Sequence, residues 1–86
     1  MYKVVIKKKA QKQFDRLPTK DQKRVLVALQ SLRKDPYNGK KLEGELALFW
    51  SMRVWPYRII YMIEKKIVTV SVVAIGDRKN VYKKLM

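Results

Sequence analysis

The strongest constraint on the fold lies between Ala47 and Ile75. Three strand-like runs follow one another there, Ala47–Val54, Tyr57–Ile63 and Ile67–Ile75, with only Trp55-Pro56 and Glu64-Lys65-Lys66 separating them. Gaps that short force successive strands into antiparallel hairpins. If Trp55-Pro56 and Lys65-Lys66 are the two-residue turns, Val54 faces Tyr57, Met52 faces Ile59 and Trp50 faces Tyr61. In the next hairpin Ile63 faces Val68, Tyr61 faces Val70, Ile59 faces Val72 and Tyr57 faces Ala74. All of these residues share one sheet face, and all are apolar or aromatic. A slip of one residue would instead bury Ser51 and Arg53, so the pattern fixes which face meets the core. The opposite face then carries Ser51, Arg53, Arg58, Ile60, Met62, Thr69, Ser71 and Val73. In this register Arg53 and Arg58 face each other directly. Folding alone gives no reason for that placement, because like charges across a strand pair are destabilising. An anion bound between them would supply one.

The N-terminal part supplies the cover for the apolar face. Tyr2 to Lys7 reads as a short first strand. Ala10, Phe14 and Leu17 then recur at helical spacing over Lys8 to Leu17, and Pro18 stops that helix. Thr19 is placed to cap a second helix over Lys20 to Lys34, whose stripe is Val25, Ala28, Leu29 and Leu32. Asp35-Pro36 ends it. Tyr37 to Leu46, with Asn38-Gly39, Gly44, Lys40 and Lys41, reads as a loop with a short extended piece. Gly76-Asp77 breaks the last strand, and Arg78 to Leu85 is expected to form a short final helix. The sequence therefore predicts one α+β domain over residues 1–86. An N-terminal strand and a helical hairpin pack on one face of a mainly antiparallel sheet, with a short C-terminal helix.

Charge and missing residue types narrow the chemistry. The 86 residues include 21 Lys and Arg against 7 Asp and Glu, a formal charge of +14. Such an excess points to a polyanionic partner, nucleic acid foremost. Cys and His are both absent. That removes disulfides, thiol nucleophiles, histidine acid–base catalysis and most transition-metal sites. No metal and no cofactor are expected. No apolar run is long enough to span a bilayer, and the first residues do not resemble a signal peptide. A cytoplasmic protein without membrane contact is expected.

A site without histidine still has the means to cut RNA. Attack by the neighbouring 2′-hydroxyl requires removal of its proton, stabilisation of the pentavalent phosphate and protonation of the leaving oxygen. Guanidinium groups stabilise the phosphate through bidentate, charge-assisted hydrogen bonds. A lysine surrounded by positive charge has a lowered pKa and acts as a base. A tyrosine stacks on a base or shares in proton transfer.

Two segments resemble a known family. Phe49-Trp50-Ser51-Met52-Arg53-Val54-Trp55-Pro56-Tyr57-Arg58-Ile59-Ile60-Tyr61 is similar to the central hairpin of the RelE/ParE toxin superfamily, which reads Trp-Arg-x-Arg-x-Gly-x-Tyr-Arg-x-x-Tyr there. Ala74-Ile75-Gly76-Asp77-Arg78-Lys79-Asn80-Val81-Tyr82 resembles its second signature, in which Gly-His-Arg precedes Val-Tyr. The resemblance covers essentially the whole chain. It implies a RelE-like, microbial-ribonuclease-like fold and an endoribonuclease that cuts messenger RNA in the ribosomal A site, leaving a 2′,3′-cyclic phosphate. Carried over by position, Arg58 and Arg78 would hold the scissile phosphate, with Arg78 also a candidate to protonate the leaving oxygen. Tyr82 would orient the nucleotide, and Arg53 would contact the backbone. A cognate antitoxin, the ribosome and messenger RNA are the implied partners.

The chain departs from the family pattern at two positions. The ribonucleases often carry a basic residue two positions before Arg53, where this chain has Ser51. The usual His before the second arginine is Asp77, which is placed to cap the final helix or to pair with Arg78. Lys40 or Lys41 is the candidate replacement base. These departures keep two alternatives open: a ParE-like gyrase inhibitor that cuts no RNA, and a catalytically impaired RNA-binding homologue. Trp55, at the turn tip, is either a partner contact or a lid over the core edge.

Overall fold

The computed structural model describes residues 1–77 and 79–83. Strand β1 (Lys3–Ile6) leads into helices α1 (Lys8–Asp15) and α2 (Thr19–Lys34). A two-residue strand β2 (Lys40–Lys41), then β3 (Trp50–Val54), β4 (Tyr57–Glu64) and β5 (Thr69–Asp77) complete one five-stranded sheet in the order β1-β5-β4-β3-β2. Only β1 and β5 run parallel; the other neighbours are antiparallel. The architecture is the expected α+β one. The expected extended piece in the 37–46 loop is β2, placed at the sheet edge.

The helices cover the predicted face. Val25, Leu29 and Leu32 of α2 and Ala10 of α1 are buried with Val54, Ile59, Tyr61, Val70, Val72 and Ile75 of the sheet. Phe14, Leu17 and Ala28 pack at the margin of this core. Helix α1 ends at Asp15, two residues earlier than its apolar spacing predicts; Pro18 is already extended. Pro18, not Thr19, is the N-cap residue of α2, and no side chain caps that end. Gln13 fixes α1 to the free edge of β5, its Oε1 accepting from the Ile75 amide at 2.8 Å.

The first hairpin has the predicted register: Val54 pairs with Tyr57, Arg53 with Arg58, Met52 with Ile59 and Trp50 with Tyr61. The second does not. Lys65–Ile67 form a 3-10 turn closed by Val68 at φ 50, and Glu64 pairs with Thr69. Ile63 consequently faces Val70 and Tyr61 faces Val72, two residues from the expected partners. A left-handed conformation at a β-branched residue is rare, so no residue in this stretch signals the longer turn. A shift of two preserves which face each side chain takes, and the core positions up to Val72 survive the error.

A β-bulge between Ile60 and Tyr61 then reverses the alternation in β5. Ile59 pairs with Ile75, and Ile75 enters the helix-side core. Ala74 was expected opposite Tyr57 on that face. It lies on the other face, opposite Ile60. There Ile60, Ala74 and Val81 form a second small core, flanked by Phe49, Val73 and Tyr82. The face expected to be open is therefore partly roofed by the segment after β5. In the described residues 79–83 this segment forms turns and one 3-10 residue. The rest of the expected final helix, including Arg78, lies outside the described residues.

Candidate functional site

The first hairpin's register sets Arg53 and Arg58 side by side at the sheet surface. Arg53 is exposed and Arg58 half-buried. The Nε of Arg58 is buried and has no hydrogen-bond partner among the described residues. A buried donor without an acceptor costs roughly 1–3 kcal/mol, and the facing positive charges add to that cost. An anion between the two guanidinium groups would relieve the repulsion.

The two arginines line a cleft of about 720 Å³ at the free edge of β3. Arg24 and Ser31 of α2, Asn38, Gly39 and Lys40 complete its wall with Ser51. The lining holds four cationic side chains, Arg24, Lys40, Arg53 and Arg58, and no carboxylate. This concentration of one sign within a concave surface focuses field on a small anion.

Strand β2 decides between the two lysines. Lys40 pairs with Ser51 and Lys41 with Trp50. Successive strand residues take opposite faces, so Lys40 shares the face of Ser51, Arg53 and Arg58. Lys41 takes the other face and is not part of the cleft lining. Gly39 permits this approach: a Cβ there would collide with the Tyr61 hydroxyl and the Ser51 carbonyl.

Tyr82 reaches the same area from the chain end. Its hydroxyl donates to Ser51 Oγ at 3.4 Å, while its ring borders the second core. Ser51 is buried, so its hydroxyl sits beneath the cleft floor rather than in solution. Asp77 caps the turn that carries Tyr82: Oδ1 accepts from the amides of Lys79 and Asn80, at 3.1 and 2.9 Å. The structure thus brings together Arg53, Arg58, Ser51, Lys40 and Tyr82. Arg78 lies outside the described residues.

Sequence reasoning missed Arg24. It stands one helical turn before Ala28, at the border of the α2 stripe, which was the available signal. A chain of contacts orients it: Arg24 pairs with Asp21 at 3.6 Å, and Asp21 accepts from the Tyr57 hydroxyl at 2.9 Å. That hydrogen bond to a carboxylate holds the Tyr57 phenol neutral, with its pKa raised above the usual tyrosine value. Tyr57, expected to be a core residue, is half-buried, with its hydroxyl tied to Asp21. Tyr61 is a full core residue: its hydroxyl donates to the Pro36 carbonyl at 2.7 Å, and burial pushes its pKa up to about 12.

Two helices on a five-stranded sheet, with a basic cleft lined by no histidine and no carboxylate, define a small α+β domain suited to an anionic partner. Residues 4–82 match the family described as ParE toxin of type II toxin–antitoxin systems, parDE. The chain belongs to this family, within the RelE/ParE superfamily. It is similar to a solved chain of the RelBE2 toxin–antitoxin complex from Mycobacterium tuberculosis, at 29% identity and a TM-score of 0.84, over 90% of this chain and 98% of that one. It is also similar to a chain of the archaeal RelE–RelB complex from Pyrococcus horikoshii OT3, at 27% identity and TM-score 0.79, over 93% and 98%. The isolated Escherichia coli RelE toxin shares the fold at 21% identity and TM-score 0.79, over 99% and 95%. No curated protein matches the sequence. No helix among the described residues is long and apolar enough to cross a membrane.

Proposed function

We propose that this chain is a ribosome-dependent endoribonuclease that cuts messenger RNA in the A site by 2′-hydroxyl attack and thereby stops translation. The juxtaposition of Arg53 and Arg58 in a basic cleft free of carboxylates carries this reading. Two forked guanidinium groups suit a phosphodiester and the extra negative charge of its pentavalent transition state. Arg58 is the main stabiliser, with Arg78 its expected partner and the expected donor of the proton taken up by the leaving 5′-oxygen; Arg53 contacts the adjoining backbone. Lys40, on the same face as Arg53 and Arg58 and lining the same cleft, is the base that accepts the 2′-hydroxyl proton. Tyr82, held against Ser51, orients the nucleotide. The ribosome supplies the alignment of nucleophile, phosphorus and leaving oxygen that so small a domain leaves open.

The complexes from M. tuberculosis and P. horikoshii support a cognate antitoxin as the second partner. An acidic, amphipathic segment suits the excess positive charge and the exposed Leu26 and Val27 on α2.

A gyrase inhibitor is the competing reading. The matching family model is that of ParE, and Ser51 and Asp77 stand where the ribonucleases carry basic side chains. Incubation with translating ribosomes separates the two. Codon-positioned 5′-hydroxyl ends that vanish with Arg58→Ala support the nuclease. Intact transcripts together with gyrase–DNA adducts refute it.

A further inference from the structure

Beside the roofed sheet face lies a second cavity of about 620 Å³, lined by Trp55, Pro56, Asp77, Lys79, Asn80 and Lys83. Trp55 is 57% exposed at the tip of the first hairpin. A two-residue turn has no need of an indole, and the ring contributes to neither core. The far wall is the segment 79–83, which crosses the sheet with Val81 seated on Ile60 and Ala74. The cavity's single carboxylate, on Asp77, is engaged: it accepts from the Lys79 and Asn80 amides and, through Oδ2, from Asn80 Nδ2 at 3.2 Å. An exposed aromatic face thus stands opposite two lysines.

We propose that Trp55, with Lys79 and Lys83, forms a stacking subsite for one nucleobase of single-stranded RNA adjoining the phosphate held at Arg53 and Arg58. This rests on the ribonuclease reading and deepens it. Trp55 follows Arg53 by two residues at the end of β3, about 7 Å at ~3.4 Å per residue, so a nucleotide next to the bound phosphate reaches the indole. Every base offers a π-face, and flanking ammonium groups balance its phosphates. An apolar protein partner fits less well, because interface centres are depleted in lysine. The subsite would hold the substrate strand on the hairpin side while the cleft acts on the phosphate. It has no need of base-specific hydrogen bonds, so it adds affinity without codon preference.

The full-length Trp50→Phe protein retains Trp55 as its only tryptophan. It is titrated with a short 2′-O-methyl oligoribonucleotide, which has no nucleophile, and with an abasic oligomer of equal length and charge. The subsite requires quenching of Trp55 emission by the first oligomer and not by the second. It also requires that Trp55→Ala weaken binding of the first by about tenfold, while Trp55→Phe retains it. If Trp50→Phe fails to fold, the difference between native and Trp55→Phe emission gives the same readout. Equal binding of both oligomers, or unchanged affinity in Trp55→Ala, overturns the subsite. If mapped transcript ends persist in that case, the nuclease reading stands without it. Loss of antitoxin affinity in Trp55→Ala with RNA affinity intact also overturns it, since the patch is then a protein contact.

Discussion

Replacing Arg58 by methionine should make the protein more stable and inactive at once. Arg58 faces Arg53 across the β3–β4 ladder, a like-charge placement that costs roughly 0.2–1 kcal/mol. Its buried Nε finds no acceptor among the described residues, and an unmet buried donor costs roughly 1–3 kcal/mol. Methionine keeps a stem of similar length and removes both penalties. Arg58 is only half-buried, so the low end of each range applies and the net gain is about 1 kcal/mol. For a domain of this size that raises Tm by roughly 4–8 °C. Thermal melts of native and Arg58→Met protein measure the difference directly. Added salt should narrow it by screening the repulsion. Inorganic phosphate should raise the melting point of the native protein and leave the variant's unchanged, because only the native protein binds the anion. A variant that melts below the native protein would mean that Arg58 makes stabilising contacts in the fold. The case for an anion between the two arginines would then fail.

Three further outcomes test the site and the fold around it. Lys40→Ala should reduce ribosome-dependent cleavage by about 10²-fold or more, as expected for loss of a general base; Lys41→Ala, on the opposite face, should not, and equal losses would refute the assignment of faces. Gly39→Ala should destabilise by roughly 1–3 kcal/mol, since the added methyl meets the Tyr61 hydroxyl and Ser51 carbonyl; a neutral urea midpoint would contradict that packing. The Tyr61 pKa is raised to about 12 in the folded chain, against the ordinary tyrosine value of 10.0. Its contribution is therefore fully present below pH 10 and lost as pH climbs toward 12, by roughly 2–3 kcal/mol; comparison of alkaline melts of native and Tyr61→Phe proteins isolates it, and parallel curves would refute it.

Most of the fold, and half of the site, was legible from residue order. The period-two run from Trp50 to Ile63 fixed the inward face of the first hairpin, because a one-residue slip would bury an arginine, and the short Trp55-Pro56 turn then set Arg53 opposite Arg58. The helix stripes identified Val25, Leu29 and Leu32 as core for a similar reason. Tertiary structure alone decided three matters. The left-handed turn at Val68 shifted the second hairpin by two residues, and the bulge opposite Ile60 carried Ala74 to the far face and Ile75 into the core. A side-chain pattern cannot register such features, since an unpaired residue reads like any other strand residue. The choice of Lys40 over Lys41 depended on how a two-residue strand pairs with β3, and two adjacent lysines carry no alternation to reveal it. Arg24 joined the cleft only because α2 lies across the edge of β3. Periodicity records which face of an element is buried, but not what stands beside it in space, and a site assembled from separate elements depends on the latter.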